Sequence, residues 1–467
     1  MCLLVKSIVI ALQKYYYLVI LFAKIILNMK IKAFFKNIWI GIVTKEIYQD
    51  KAMSKSLYRY FLVGLLIRVL FLPFFFQRDI LSTYQRAAQT VFNGVLGADF
   101  QQFLTHILHS TFLFIAKPFI PAVQELSTIL LNSDNWVSWI DFNNFAYVYR
   151  TLALFKLPYL ILDIAIVFIL FRLLYDGKPK TRLKVFAFWA FNPLVIFVTY
   201  LFARHDIIGL FITLVAILLA KYGRKYWSIA FLAVAIALRF FPIMILPFLI
   251  LYLAKKKRDY VILLAMGVVG LAGIEGFSLA YFGKSLIFSL LNTQHFDYIL
   301  SAKLDLIIHD AIFIFIVAYA LLVFSFIHQK KKTFSVLLSY CGIAYLLYVS
   351  LSYFHPQYLL WAMPFAILVF ARRRSLFYYH IIQFVLLMFV LIYWGDLVTK
   401  FLIAPIDINY ALYSVGPIPL INRVYNPVKF VNIFRSLFTA VSLWMAFLIY
   451  RSRNEQADMI AGEDLKS

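Results

Sequence analysis

The chain has 467 residues, of which 64% are hydrophobic and only 14% charged; soluble domains carry about a quarter charged residues, so a water-soluble globular fold is excluded. The net charge of +24 comes from short Lys and Arg knots between apolar runs. That pattern marks loops at a membrane face and not a nucleic-acid footprint, so the expected partners include membrane lipids and no nucleic acid.

Apolar stretches of about twenty residues recur, each able to cross a hydrocarbon core about 30 Å thick as helix, and none alternates as barrel strands do. The expected fold is all-α, a polytopic transmembrane helical bundle of about twelve spans. Residues 1–56 read as a basic, amphipathic extension, with Ser7 to Asn28 an interfacial helix or extension and a spanning helix as its rival. Lys51, Lys55 and Arg59 place the start of the first span, Leu57 to Phe76, in the cytoplasm. Gln77 to Arg150 then forms a long extracytoplasmic loop, too polar for one span, within which Phe103 to Val123 suits a re-entrant or surface helix.

Thr151 to Leu174, Val185 to Phe202 and Ile207 to Ala220 follow, with the knots Lys178 to Lys184 and Lys221 to Lys225 inside. Tyr226 to Ala254 is long enough for one helix, but the knot Lys255 to Arg258 belongs inside only if the chain turns back. A break at Arg239-Phe240-Phe241-Pro242 supplies that turn, since proline lacks the backbone donor and disfavours helix at the residue before it; one kinked helix is the alternative. Spans near Tyr260 to Tyr281, Asp305 to Ile327, Phe334 to Tyr353, Tyr358 to Ala371, Leu376 to Trp394 and Val431 to Tyr450 complete a transmembrane domain over 57–451. The tail 452–467 is acidic, cytoplasmic and expected to be disordered. Cys2 and Cys341 are too far apart in sequence for a disulfide framework or a zinc spacing to be argued.

This topology gathers Asp79, Arg204-His205-Asp206, Arg239 and His355-Pro356-Gln357-Tyr358 at the outer ends of spans. Ionisable groups near a bilayer are costly, so such a gathering points to function. Asp79, with Tyr84 and Arg86 within the next two turns, offers a carboxylate that can take the proton of an attacking hydroxyl. Pairing with Arg78 or capping a surface helix is the plainer role for it. Asp206 equally suits an N-cap, and His205 an anion contact. Arg239 beside a helix break suits a phosphate, snorkelling being its plainer role. Pro356 starts a helix, which leaves His355 and Gln357 needing another reason. Lys156 and Asp163, seven apart on one span, read as a structural polar pair.

These residues resemble the GT-C superfamily of integral membrane glycosyltransferases, especially mannosyltransferases that use polyprenyl-phosphate sugars. The resemblance runs from about Arg68 to Phe370 and rests on Arg68, Asp79 and Tyr84, Phe155-Lys156-Leu157-Pro158 with Asp163, Phe191-Asn192-Pro193, His205-Asp206, Arg239-Phe240-Phe241-Pro242 and His355-Pro356-Gln357-Tyr358. It implies a GT-C-like bundle whose first extracytoplasmic loop carries the catalytic Asp, here Asp79, in a cavity open to the outer leaflet. The implied reaction moves a hexose, mannose foremost, from a polyprenyl-phosphate donor to a lipid-linked or surface glycan acceptor, with inversion. Tyr84, Arg204, His205, Asp206, Arg239, His355, Gln357 and Tyr358 are then the expected substrate-binding residues. Some relatives have two acidic residues in that loop, separated by one, whereas Arg78-Asp79-Ile80 holds a single carboxylate, so no metal or other cofactor is expected. The expected location is the cell membrane, or the endoplasmic reticulum membrane in a eukaryote. A lipid-linked sugar flippase would also need many spans, but it predicts broken helices at the midplane and symmetric halves, which the sequence does not display. A polysaccharide polymerase or ligase shares the chemistry, with its large loop usually later in the chain.

Overall fold

The computed structural model describes residues 50–96, 102–132, 136–174, 179–292, 294–307, 310–353 and 355–464. The segment Ser7 to Asn28 lies outside the described residues. Residues 51–56, assigned above to the extension, are instead the opening turns of α1 (Lys51–Phe71), whose N-cap Asp50 accepts from the amides of Ala52 and Met53. The helix stops at Phe71, short of the expected Phe76: Leu72 still has helical dihedrals, but Pro73 has no N–H with which to continue the ladder.

The long loop is itself helical: α2 (Asp79–Asn93), α3 (Phe103–Ala116), α4 (Val123–Leu131) and α5 (Trp136–Asn144). The helix expected over Phe103 to Val123 is α3, ended at Ala116 by a 3-10 turn at Lys117-Pro118-Phe119. Then come α6 (Val148–Leu173) and α7 (Pro179–Ala190), which bends by 41° into α8 (Pro193–Ile196) and a π turn, Phe197–Leu201. After them run α9 (Asp206–Lys221), α10 (Lys225–Leu238), a 3-10 turn at Phe241–Ile245, α11 (Leu246–Leu253), α12 (Lys257–Phe282), α13 (Leu286–Leu291) and α14 (Gln294–Ile299). An antiparallel hairpin, β1 (Lys303–Ile307) and β2 (Asp310–Phe313), precedes α15 (Ile314–Ile327). The span expected over Asp305 to Ile327 is corrected accordingly: its first third is hairpin, because alternating residues there pair across two strands.

The rest is α16 (Phe334–Leu351), a 3-10 segment Pro356–Ala362 leading into α17 (Met363–Phe370), α18 (Arg374–Val390), α19 (Ile408–Tyr413), α20 (Pro417–Asn422) and α21 (Pro427–Asp464). The stretch expected as a span from Tyr358 to Ala371 thus begins as 3-10 turn, up to Ala362, and continues as α17. The tail expected to be disordered after Arg453 continues α21 as helix to Asp464.

Among the described residues five helices are long and apolar enough to cross a membrane: α6, α12, α16, α18 extended to Val398, and α21 as far as Arg453. The bent pair Pro179–Ala190 and Pro193–Leu201 is a sixth if it counts as one broken span and not as a re-entrant loop. About twelve was expected because every apolar run was counted as a crossing, whereas several fold as short helices of 10 to 17 residues, Lys225–Leu238 and Ile314–Ile327 among them. Helix α16 is the hub, with 83% of its apolar window inside the protein, while α12 turns outward at 17%. Small residues let helices approach where apolar burial alone gives little drive: a Cβ on Gly270 would lie 3.0 Å from Ala233, and one on Gly64 3.1 Å from Ala190.

The two ends of the 225–258 stretch meet. Lys225 Nζ donates to Asp259 Oδ1 at 2.7 Å, and Lys221 Nζ reaches the carbonyls of Arg172 and Leu173 at 3.2 and 3.1 Å. The chain therefore runs along α10, turns at Arg239 (φ −154°, ψ 131°) and returns along α11, as a hairpin and not as one continuous helix. Single cysteines placed by Lys180→Cys, Lys256→Cys and Arg373→Cys are all expected to resist an impermeant maleimide added outside; labelling at 256 without labelling at 180 would contradict this path.

Candidate functional site

The turn of the 225–258 hairpin at Arg239 meets the start of α9, and the site is built there. Arg239 leaves the end of α10 in extended conformation and points its guanidinium at Asp206, the first residue of α9. Its Nη2 donates to both carboxylate oxygens, at 3.1 and 3.0 Å, and its Nε to Oδ1 at 3.2 Å. Trp361 Nε1 donates to the same Oδ1 at 3.2 Å. A planar fork on a fully buried carboxylate is the strong form of such a bond. Close approach here needs Gly209, where a Cβ would stand 2.8 Å from the Trp361 ring. Asp206 is consequently no N-cap: α9 has no side-chain cap, and both oxygens of Asp206 are engaged elsewhere.

Gln102, just before α3, joins the cluster. Its Oε1 accepts from Arg239 Nη1 at 3.3 Å and from His205 Nε2 at 3.2 Å. An oxygen acceptor requires the His205 proton to be on Nε2. The His205 ring meets His109 edge-on at 5.5 Å, and His109 is fixed by the Thr105 carbonyl and the Tyr159 hydroxyl, each at 2.7 Å.

Asp79 enters from the other arm, as the first residue of α2. Its carboxylate pairs with Arg204, while its amide donates to Gln77 Oε1 at 2.7 Å. It pairs with Arg204 across 125 residues and not with neighbouring Arg78, whose guanidinium lies over Trp136 at 5.7 Å. Arg204 Nε is also 4.0 Å from Asp206 Oδ2, so charges alternate along Asp79, Arg204, Asp206 and Arg239. Partial burial pushes the Asp79 carboxyl up, but Arg204, the Gln77 contact, His355 and Arg239 outweigh it and hold it below its ordinary value. The side chain is half exposed and keeps an open approach.

The turn that delivers Arg204 is irregular. Phe197–Leu201 is π-helical, and Ala203 follows at φ 58°, a left-handed conformation that costs a non-glycine residue about 1 kcal/mol or more. Such features collect where a side chain must be aimed.

An open cavity of about 180 Å³ adjoins the cluster. Ile236, Met244, Leu271 and Leu291 contribute apolar walls, and Gln102, Arg239 and Tyr358 contribute polar lining. Tyr358 packs on Phe241 at 4.2 Å, and Gln357, at 2% exposure, has an Oε1 that meets no donor among the described residues. His355 sits among Tyr298, Tyr358 and Trp394.

Of the expected site residues, Asp79, Arg204, His205, Asp206 and Arg239 come together, with His355 and Tyr358 beside them. Tyr84 does not belong. It is 1% exposed, stacks on Phe155 at 3.6 Å and donates to the Phe155 carbonyl at 2.7 Å, so its ring and hydroxyl are spent on packing α2 against α6. Lys156 and Asp163 are both fully buried but do not pair with each other. Asp163 takes Arg68 and Tyr200 at 2.6 Å and Trp189 at 2.5 Å, while Lys156 donates to three backbone carbonyls.

Gln102, Trp361 and His109 escaped the sequence reading. Gln102 lies in the long loop just before the stretch expected as a re-entrant or surface helix and His109 lies within that stretch, while Trp361 looked like one more aromatic in an apolar run. The only signal was polar groups spaced along α3, His106, His109 and Ser110 on one buried face. Among the described residues no three His, Cys, Asp or Glu side chains converge as a metal-binding group. No family model and no curated protein matches the chain.

Proposed function

We propose that the chain is a membrane glycosyltransferase that moves a hexose, mannose foremost, from a polyprenyl-phosphate sugar to a lipid-linked or surface glycan acceptor on the extracytoplasmic face. The observation that carries this reading is the alternating row Asp79, Arg204, Asp206, Arg239 beside a mostly apolar cavity. A lipid-phosphate sugar needs both parts: apolar walls for its chain and cationic donors for its phosphate. A GT-C-like bundle of about twelve crossings belongs to the same reading, with the short and broken helices counted among them.

In this mechanism the acceptor hydroxyl attacks the anomeric carbon from the face opposite the phosphate. The new carbon–oxygen bond forms as the bond to phosphate breaks, the hydroxyl proton passes to Asp79, and configuration inverts. The departing phosphate takes the bonding pair, and Arg239, Arg204 and His205 are the donors placed to receive its charge. Asp206 holds Arg239 in orientation and takes no proton, since both its oxygens are engaged.

A flippase is the second reading, favoured by the breaks at Phe191-Asn192 and Arg239, which put irregular backbone next to charged groups as transporters do. Purified protein in vesicles, offered a radiolabelled polyprenyl-phosphate hexose and a lipid-linked acceptor, separates the two. Transfer of label to the acceptor supports the enzyme; movement of donor between leaflets without transfer supports the flippase and removes the enzyme.

A further inference from the structure

Lys156 lies on α6, outside the site, fully buried, with its ammonium on three backbone carbonyls: Phe71 at 3.2 Å, Phe75 at 2.7 Å and Tyr200 at 2.9 Å. These carbonyls belong to the two chain segments that deliver the charged pair. Phe71 ends α1, Phe75 stands four residues before Asp79, and Tyr200 stands four before Arg204.

The Tyr200 carbonyl has a particular reason to need a partner. In a continuing α-helix it would accept from the amide of Arg204. Here the Phe202 amide goes five residues back to Phe197 at 2.7 Å, the bond of a π turn, and the Arg204 amide goes six back to Val198 at 3.2 Å. Lys156 occupies the Tyr200 carbonyl in place of that amide. The Tyr200 side chain is fixed from the other direction, its hydroxyl donating to Asp163 Oδ2 at 2.6 Å, where Asp163 is held by Arg68 and Trp189. The π turn is therefore gripped at both its backbone and its side chain.

We propose that Lys156 is a positioning residue that ties the Phe71–Phe75 segment to the π turn at Tyr200, and so sets Asp79 and Arg204 within reach of each other. The Asp163–Tyr200 bond fixes the turn that Lys156 grips. This deepens the glycosyltransferase reading, because it assigns the distance between the base and its guanidinium partner to a residue that touches no substrate.

The test reads the pair directly. Lys156→Met keeps the length and removes the donors; Tyr200→Phe removes only the hydroxyl and leaves the ring in place. In each variant, shown intact by thermal unfolding in detergent, two quantities are measured without substrate: amide exchange over residues 202–206, and modification of Asp79 by a water-soluble carbodiimide. Both are expected to rise severalfold in Lys156→Met and less in Tyr200→Phe, since a carboxylate released from its guanidinium becomes reactive. Parent-like exchange and modification in an intact Lys156→Met overturn the proposal. Should Lys156→Met not fold, Tyr200→Phe decides by the same criterion. Sugar transfer is followed in parallel: a fall in kcat with unchanged donor KM agrees with positioning. A parent protein that transfers no sugar removes the glycosyltransferase reading and leaves the two structural readouts to judge Lys156 alone.

Discussion

Asp79→Asn is expected to lower sugar transfer by about two to four orders of magnitude while the protein stays folded, because the amide is nearly isosteric but cannot accept the hydroxyl proton. Folding should persist because the ion pair with Arg204 has a half-exposed carboxylate, and pairs of that kind contribute about 1 kcal/mol or less. Arg204 also keeps Asp206 within 4.0 Å. The pH profile supplies a second check. Arg204, Gln77, His355 and Arg239 hold the Asp79 carboxyl below its ordinary value; the base is therefore ionised at neutral pH, and the acid limb due to Asp79 should appear only as pH falls through that lowered value. Near-parent transfer by an intact Asp79→Asn protein would defeat the mechanism outright. Asp206 offers no replacement base, being fully buried with both oxygens on Arg239.

Arg239→Ala should have two effects that a second substitution can pull apart. It removes a cationic donor from the cavity lining, and loss of such a charge-assisted contact weakens binding of a phosphate by about 1.5–3 kcal/mol, roughly ten- to a hundredfold. It also strands Asp206 at full burial with only Trp361 donating to it and Arg204 at 4.0 Å, and breaking a buried pair from one side destabilises by about 3–5 kcal/mol. Removing the carboxylate as well, in Arg239→Ala with Asp206→Ala, should recover much of the thermal stability and none of the donor affinity. Arg239→Lys should fall between, since it keeps the charge and loses the fork. Donor binding measured by titration of a lipid-phosphate sugar, with thermal unfolding alongside, reads both arms. Unchanged donor affinity in Arg239→Ala would take this residue out of the binding site.

The proportion of apolar residues, the span lengths and the basic knots determined by themselves that this is a helical membrane protein, because solvation by lipid acts on composition and needs no tertiary knowledge. The turn at Arg239 was legible for a similar reason: proline and a misplaced basic knot are local signals, and the pairing of Lys225 with Asp259 agrees with them. So were the polar residues at the outer ends, whose cost in an apolar setting makes them conspicuous one at a time.

Partnership was not legible, because it joins residues 33 to 125 apart in sequence. That Arg204 answers Asp79 and Arg239 answers Asp206, that Tyr84 turns its hydroxyl to a carbonyl of α6, and that Lys156 spurns the carboxylate two turns along its own helix are decided by which faces meet when helices pack. Gln102 became part of the site only when α3 brought it to the turn at Arg239. The number of crossings is not legible from sequence for the same physical reason. Apolarity tells where a segment is comfortable, but whether it runs through as one long helix or breaks into short ones depends on neighbours that can satisfy the backbone groups a break exposes, as Lys156 does for Tyr200.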